Sequence, residues 1–207
     1  MAIKIRKAVD TDAELIAWAI MVSSRSGKSV GLFDLLFRPK DDAELLERLK
    51  ALTITQTKCY CHFTNFLIAE LDGESIGLLC GYEPRIATHE IFSKALAELG
   101  CKEEYKERIS AYTLCEPEID RQTWVLDFMV ERPGYDSFEV LKELMQKSLL
   151  TARLKGYRKA QTMVEIGSIE AQMVYEKLGF LFEDEKRADY YQEVFGRPGI
   201  KRLHLSL

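Results

Sequence analysis

One late stretch of the chain reads Ser168-Ile-Glu-Ala171-Gln-Met-Val-Tyr175-Glu-Lys-Leu-Gly179-Phe180. Its apolar residues recur at the spacing of one helical face. The residues on that face are Ala171, Val174, Tyr175 and Leu178. Glycine is favoured just after the last turn of a helix, so Gly179 is expected to end the segment. The pattern predicts a helix that begins at Gly167-Ser168 and a strand that follows it from Phe180 to Glu183.

The residues before this stretch alternate between predicted strands and helices. Thr123 to Val130 is a strongly apolar run that predicts a strand, and Lys159 to Glu165 predicts another. Between them, Ser137 to Lys155 places its apolar residues on one face and stops at Gly156, as a helix does. This order of strands and helices implies right-handed crossover connections.

The first part of the chain predicts a strand, helices and a hairpin. Ile3 to Val9 alternates apolar and charged residues as a strand does, and a helix follows from Ala13 to about Ser24, with a second helical region after it. The stretch Asp41 to Leu52 repeats leucines at helical spacing behind an acidic first turn. Asp72-Gly73 separates two apolar runs and is the strongest short-range signal of a β-hairpin.

Two further segments complete the predicted fold. Residues 84 to 120 change to helical periodicity, and we expect an inserted pair of helices with a stop at Gly100. Residues 201 to 207 predict a final strand in a mixed sheet. As an apolar edge, Leu203 to Leu207 would allow pairing with a second copy in a homodimer, although an edge covered within the monomer would have the same sequence.

The composition indicates one globular domain over residues 1–207. Of its 207 residues, 47% are hydrophobic and 30% are charged, which is enough to bury a substantial core. The 33 acidic and 29 basic residues give a net charge of −4 without a basic stripe, which argues against nucleic acid as a partner. The N-terminus lacks the apolar stretch of a signal peptide and no run is long enough to span a bilayer. We therefore expect a cytoplasmic protein without a membrane partner.

The stretch around Tyr175 resembles a late helix of the GNAT N-acetyltransferase family, whose usual form is Asn-x-x-Ala-x-x-x-Tyr-x-x-x-Gly-Phe. The run from Leu126 to Pro133 is similar to the fourth strand of that family, and the hairpin and the N-terminal strand-helix unit fall where the family has them. The resemblance covers most of the chain outside residues 84–120. It implies an α/β (α+β) fold with a mixed, mostly antiparallel sheet, flanked by helices, whose fourth and fifth strands splay apart.

The resemblance also implies acetyl-CoA as cosubstrate and a primary amine of a small molecule or peptide as acceptor. The pantetheine arm would bind backbone groups of Met129 and Val130, because groups freed by the splay need partners. Ser168, at the start of the helix motif, is also predicted to bind the cofactor. The amine would approach from the opposite side and attack the thioester directly.

Tyr175 and Asp127 are the predicted catalytic residues. The tyrosine of the family that corresponds to Tyr175 protonates the departing CoA thiolate, and a phenol is protonated at neutral pH. The alternative for Tyr175 is an ordinary core tyrosine with its hydroxyl at the edge. Asp127, amid apolar strand residues, either takes the proton of an ammonium acceptor or bonds to a neighbouring backbone or tyrosine group. Glu83 is an alternative base, or an exposed carboxylate at the end of a strand.

The segment expected to hold the CoA pyrophosphate departs from the family pattern of Arg or Gln followed by glycines. Here it reads Asp136, Ser137, Phe138, Glu139, Val140 and Leu141. Glycines let phosphate oxygens approach a helix N-terminus, whereas Asp136 and Glu139 have the spacing of a capping box and add negative charge there. Arg132 either offers guanidinium donors that offset this loss or is a solvated surface residue. The cofactor contacts are still expected at Arg132 and at residues 137–141.

No metal is expected. Cys59-Tyr-Cys61-His62 invites a zinc interpretation, but the sequence contains no second pair of ligands at the spacing of such a site.

The sequence leaves three hypotheses of function. The first is an acetyl-CoA-dependent N-acetyltransferase, as the motif around Tyr175 implies. The second is a noncatalytic GNAT-like ligand-binding or regulatory module that has lost the pyrophosphate loop. The third is a related acyltransferase that uses a donor other than acetyl-CoA.

Overall fold

The computed structural model of the chain describes residues 3–135 and 138–207. Its strands are β1 (Lys4–Lys7), β2 (Phe66–Leu71), β3 (Glu74–Tyr82), β4 (Thr123–Glu131), β5 (Lys159–Glu165), β6 (Leu181–Arg187) and β7 (Gly199–Ser206). Its α-helices are α1 (Ala13–Arg25), α2 (Leu32–Phe37), α3 (Asp42–Thr53), α4 (His89–Glu98), α5 (Tyr105–Arg108), α6 (Ser110–Cys115), α7 (Phe138–Leu154), α8 (Ile169–Lys177) and α9 (Asp189–Phe195). None of these helices is both long enough and apolar enough to cross a bilayer.

The described strands form one sheet in the order β1-β2-β3-β4-β5-β7-β6. Neighbouring strands are antiparallel except for β4 and β5, which run parallel and are connected through α7. The sheet is therefore mixed and mostly antiparallel, which confirms the predicted fold class.

The predicted hairpin joins β2 and β3. Leu71 pairs with Glu74, and the two residues between them, Asp72 and Gly73, have φ angles of 51° and 87°. Positive φ at both central positions is what a type I′ turn requires, and Asp-Gly tolerates it well. The register that the turn fixes at Leu71 and Glu74 shifts once further along the hairpin, at an irregularity between Ala69 and Glu70.

Apolar side chains cover both faces of the sheet, because successive residues of a strand point to opposite sides. On β4, Val125 packs in the layer formed with α1 to α4, whereas Leu126 packs against α7. A smaller cluster joins α6 and α9, with Tyr191 and Phe195 among its buried residues. Burial of each large aliphatic or aromatic side chain contributes about 1.5–3 kcal/mol, so these layers dominate the stability of the fold.

The segment from residue 84 to residue 120, predicted to be an inserted pair of helices, contains three α-helices. The chain turns at Gly100, which has a φ of 72°, after α4. It is interrupted again at Ile109, where φ is −101° and ψ is 8°, between α5 and α6. The prediction of a stop at Gly100 is confirmed, but helical periodicity alone did not show the second break.

Of the two possibilities for Leu203 to Leu207, the structure shows the one in which the strand is covered within the chain. Strand β7 lies between β5 and β6, and Leu203 pairs with Thr162 on one side and Phe182 on the other. Helix α9, which the sequence analysis did not predict, precedes β7 and reverses the chain so that β7 can return between the two strands. The backbone groups that would have paired with a second copy are thus used within the chain.

Candidate active site

The sheet opens between β4 and β5. The two strands are paired from Thr123 with Lys159 to Leu126 with Thr162. Beyond these pairs both strands continue, but the described residues form no further pairs between them. Backbone groups on that side of β4 therefore need another partner, as predicted for strands that splay apart.

A β-bulge lies in β4 where this opening begins. The register between β3 and β4 shifts between Leu78 and Cys80, so that Phe128 and Met129 together face one residue of β3. Phe128 has a φ of 46°, a left-handed conformation that is costly for a residue other than glycine. Because of the bulge, Asp127, Phe128 and Met129 all line the same cleft, which the alternating directions of a regular strand would not allow.

Ring packing and one hydrogen bond hold the bulge. The ring of Phe128 is buried, with its centroid 6.2 Å from those of Phe33, Tyr60 and Phe66. The backbone N–H of Phe128 donates to Oδ1 of Asp127 at 2.8 Å. Burial of the ring offsets the strain of the backbone, and the hydrogen bond fixes the carboxylate of Asp127 beside it.

The opening leads into a cleft of about 1060 Å³, a volume that includes its mouth. Three of the predicted site residues, Asp127, Met129 and Tyr175, line it together. Its lining also includes the carboxylates of Glu116 and Glu165, whereas none of the described residues that line it is Lys, Arg or His. The cleft is therefore acidic.

Asp127 is half-buried in the wall of the cleft. Desolvation raises the pKa of its carboxyl group to about 7, although the hydrogen bond from Phe128 acts in the opposite direction. Within residues 3–135 and 138–207, no cation contacts this carboxylate. A carboxylate with a pKa near neutrality is suited to accept a proton at physiological pH.

Tyr175 is buried on α8, and its ring meets that of Phe180 edge-on at 5.4 Å. Burial raises the pKa of the phenol above its ordinary value of about 10, although the hydroxyl group of Thr162 acts against the shift. The hydroxyl group therefore stays protonated at neutral pH. It is able to donate a hydrogen bond to a group in the cleft.

Glu116, which the sequence analysis did not select, also lines the cleft. It follows α6 directly, and its pKa is raised to about 7 by desolvation and then by the charge of Asp127. No described residue forms an ion pair or a side-chain hydrogen bond with it. The Glu-Pro pair at the end of a helical pattern was the available signal, but nothing in the sequence links position 116 to position 127.

Three tyrosines, Tyr60, Tyr82 and Tyr112, belong to the same wall of the cleft. The rings of Tyr60 and Tyr82 lie 5.8 Å apart. Burial raises the pKa of all three phenols, so each is neutral over the physiological range. These rings supply an aromatic surface next to the two carboxylates.

Another part of the cleft wall contains a hydrogen-bonded group of polar residues around Glu165. Oε1 of Glu165 accepts hydrogen bonds from Nζ of Lys28 at 2.5 Å and from the hydroxyl group of Tyr191 at 2.8 Å. Lys28 also lies 5.2 Å from the ring centroid of Phe195. Unlike Asp127 and Glu116, the third carboxylate of the cleft thus has its own cation.

Other predicted cofactor residues lie outside the cleft. Val130 packs against the core, and Ser168 places its hydroxyl group 2.7 Å from that of Ser26 rather than capping α8. Arg132 is exposed, where its Nη1 donates to the carbonyl of Ser75 at 3.4 Å.

The remaining predicted cofactor-binding residues lie in or next to the first turn of α7. Val140 and Leu141 are buried in the core, so they can offer only backbone groups. Phe138 is 38% exposed, and Nζ of Lys177 lies 5.9 Å from its ring centroid. Both carboxylate oxygens of Glu139 accept from Nζ of Lys142, at 3.1 and 3.3 Å. The predicted contact at Ser137 and the capping role of Asp136 lie outside the described residues.

Glu83 is not placed to act as the alternative base. It lines a different cavity, on which Lys155 and Arg85 also lie. Its carboxylate pairs with both cations, and these hydrogen bonds, first that of Lys155, hold its pKa below the ordinary range. A carboxylate held in two ion pairs is a poor proton acceptor.

The Cys59-Tyr-Cys61-His62 segment forms part of the core. Cys59 and Cys61 are buried, and Nδ1 of His62 lies 2.8 Å from the hydroxyl oxygen of Thr64. Across the described ranges, no three His, Cys, Asp or Glu side chains are grouped so that they could hold a metal ion.

No protein-family model matches the sequence, and no curated protein matches it significantly. Solved structures do resemble it. An N-acetyltransferase from Staphylococcus aureus Mu50 is 17% identical, with 98% of this chain and 100% of that chain covered and a TM-score of 0.71. A GCN5-related N-acetyltransferase from Kribbella flavida is 17% identical, with 100% and 98% covered and a TM-score of 0.60.

A third similar structure was solved with ligands. It is N-acetylglutamate synthase from Neisseria gonorrhoeae in complex with coenzyme A and N-acetyl-glutamate, which is 12% identical, with 100% of this chain and 35% of that chain covered and a TM-score of 0.54. The chain therefore has the fold of the GNAT N-acetyltransferases, as the resemblance predicted.

Proposed function

From this fold and from its cleft, we propose that the protein transfers an acetyl or other short acyl group from acyl-CoA to an amine by direct attack. The observation that carries the proposal is that Asp127 and Tyr175 line one cleft at the point where β4 parts from β5. A proton acceptor and a hydrogen-bond donor thus face the same space.

The opening of the sheet fits an extended acyl-CoA arm. Beyond Leu126, residues Asp127 to Val130 of β4 are not paired with any described residue of β5, and an amide-containing chain laid along them would pair with their backbone as a strand does. Met129 lines the cleft at this place, which supports its predicted role. The acyl-CoA would supply the acyl group as a thioester.

Cations near the start of α7 support a modified grip on the pyrophosphate. Lys142 neutralises Glu139, and Lys177 lies beside Phe138 at the beginning of the helix. Arg132, which is exposed directly after the end of β4, adds a third positive charge. We infer that these side chains compensate for the missing glycines through charge, since phosphate binds lysine and arginine readily.

Asp127 and Tyr175 have different roles in the proposed reaction. Asp127 takes a proton from the ammonium group of the acceptor, directly or through water, so that the nitrogen becomes nucleophilic. A bond then forms between that nitrogen and the acyl carbon while the carbon–sulfur bond breaks. The nitrogen gives up its second proton, which reaches the departing thiolate through water, so that the products are the amide and free CoA thiol. Tyr175 donates a hydrogen bond to the departing sulfur. Its raised pKa favours this role over complete proton transfer, because a thiolate is the weaker base.

Two measurements test the proposal. Calorimetry with acetyl-CoA is expected to show binding, and an amine panel is expected to give amine-dependent release of free thiol. Tyr175→Phe should lower kcat about 100-fold or more while acetyl-CoA still binds. Tyr190→Phe, which changes an exposed tyrosine on α9, is the matched control and should leave the rate unchanged.

Three results would decide against acyl transfer in this form. Absence of binding and of thiol release would favour the noncatalytic module. Turnover with a different acyl thioester but not with acetyl-CoA would favour another donor. An undiminished rate in Tyr175→Phe would remove Tyr175 from the mechanism.

A further inference from the structure

Two carboxylates of the cleft form no ion pair with any described residue. Asp127 accepts only the hydrogen bond from Phe128, and Glu116 has no side-chain hydrogen bond or ion pair with any residue in the described ranges. Carboxylates removed from bulk water are normally paired, because an uncompensated charge is costly there. A positively charged ligand is the partner that this arrangement lacks.

Glu165 differs from these two carboxylates because it has a cation of the chain as partner. Glu165 lines the same cleft and is paired with Lys28 at 2.5 Å, so the fold does supply a cation where a carboxylate is structural. No such cation among the described residues pairs with Asp127 or Glu116, although the chain has 29 lysines and arginines. The carboxylates of Asp127 and Glu116 can therefore pair with a cationic ligand.

The walls next to these carboxylates are aromatic. Tyr60, Tyr82 and Tyr112 line the cleft with them, and two of these rings are 5.8 Å apart. Faces of tyrosine rings attract ammonium groups, and more so where water is excluded. Aromatic rings and carboxylates together form the usual recognition surface for an alkylammonium ion.

One ammonium group cannot satisfy both carboxylates through the reaction. The nitrogen that attacks must first lose its proton to Asp127, and after that step it is neutral. The carboxylate of Glu116 then faces a neutral amine, so a cation that pairs with it throughout the reaction has to be on a part of the acceptor that does not react.

We propose that the acceptor is a dicationic amine, in which Asp127 receives the reacting ammonium group and Glu116 holds a second, non-reacting one. This inference rests on the proposed acyl transfer and names its substrate class. The raised pKa of both carboxyl groups supports it, since each pKa would fall when a cation binds. Glu116 is thus a specificity-determining residue contributed by the insertion.

The test compares three acceptors of equal length: diaminobutane, butylamine and aminobutyrate. Thiol release with acetyl-CoA is expected to give a kcat/KM for diaminobutane at least about tenfold above that for butylamine, with aminobutyrate lowest. Glu116→Gln should reduce this preference to near unity, mainly through a higher KM for diaminobutane. Glu116→Asp keeps the charge and should retain part of the preference. Diaminoalkanes from diaminopropane to diaminohexane would then report the spacing of the two sites.

The matched control is Glu118→Gln, which removes an exposed carboxylate two positions away and should change no ratio. Equal use of butylamine and diaminobutane by the unaltered protein would overturn the inference while leaving acyl transfer intact. So would a loss in Glu116→Gln that is the same for both amines.

Direct binding separates this inference from the proposed function. Calorimetry of diaminobutane without acetyl-CoA should show binding that weakens about tenfold in Glu116→Gln but not in Glu118→Gln. If this holds while no amine gives thiol release, acyl transfer fails but the dication site stands. If diaminobutane does not bind, or binds both variants equally, the site is wrong whatever the turnover.

Discussion

Asp127 accepts, through its Oδ1, a 2.8 Å hydrogen bond from the backbone N–H of Phe128, the residue with a left-handed conformation in the middle of β4. The carboxylate therefore has two tasks: it satisfies an amide at the bulge and it faces the cleft. The bond to a neighbouring backbone group, one of the two interpretations that the sequence left open for Asp127, is confirmed, whereas the role of base stays a prediction.

These two tasks are separable by substitution. Asp127→Asn keeps an acceptor oxygen for Phe128 but cannot take a proton, so kcat should fall about 100-fold or more with stability retained. Asp127→Ala also leaves the Phe128 N–H unpaired, which should lower the free energy of unfolding by about 1–3 kcal/mol. Thiol-release kinetics and urea unfolding measure the two effects. Full activity in Asp127→Asn would show that Asp127 is not the base.

The stability of the protein should depend on the charge of Glu116. Its pKa is about 7 in the folded protein and about 4.3 in an unfolded chain. A raised carboxyl pKa contributes stability that is fully present below about pH 4 and is lost as the pH rises through about 7. Glu116→Gln should therefore match the parent near pH 4 and melt at a higher temperature near pH 8.

Other groups around Glu116 also titrate, so the comparison uses the difference between variants. Asp127 has a similar shift and remains in both proteins. Glu118→Gln serves as the surface control. A difference in melting temperature that is the same near pH 4 and pH 8 would refute the assignment.

Gly81 occupies a position on β3 with no room for a side chain. An added Cβ would lie 2.5 Å from Oγ of Ser148 and 2.9 Å from Nε1 of Trp124, which are themselves joined by a 3.1 Å hydrogen bond. Gly81→Ala should lower the free energy of unfolding by about 1–3 kcal/mol. Adding Ser148→Ala removes the nearer atom and should restore part of that loss in urea unfolding. No recovery would show that the contact with Trp124 decides the effect.

The pair of Lys28 and Glu165 should be strongly coupled. Their side chains are 17% and 13% exposed, so Lys28→Met would leave a largely buried carboxylate without its cation, at about 3–5 kcal/mol. Glu165→Gln in the same chain should recover most of that loss. Lys94→Met breaks the exposed pair with Glu90 and should change stability by less than about 1 kcal/mol. Chemical denaturation of these three variants and of Glu165→Gln alone completes the test, and additive effects at Lys28 and Glu165 would contradict the coupling.

Local chemistry made much of the fold predictable. Asp41 caps α3 by accepting a 2.9 Å hydrogen bond from the N–H of Glu44, and β5 has the predicted bounds, Lys159–Glu165. Caps, turns and periodicity are encoded within a few residues, so they are visible in the sequence. Helix α9 was missed because two turns carry too few residues for a clear period.

Long-range features were less accessible. That β7 enters between β5 and β6 depends on which strands pair, and a single strand does not reveal its neighbours. The cleft joins Glu116 of the insertion to Asp127 and Tyr175, residues brought together only by folding. The motif around Tyr175 indicated one wall of the cleft, whereas the sequence around Glu116 contains no recognisable motif.

The ring of Phe128, on β4, packs against residues of the cleft wall that would also contact the acceptor. Phe33 and Tyr60 pack against that ring and also line the cleft, so they shape the backbone beside Asp127 as well as the space for the acceptor. Exchanging either of them to alter selectivity would disturb the geometry of the chemistry at the same time. Tyr112, whose ring packs against Phe195, and Glu116 are therefore the positions at which we expect a substitution to change the proposed acceptor while leaving β4 in place.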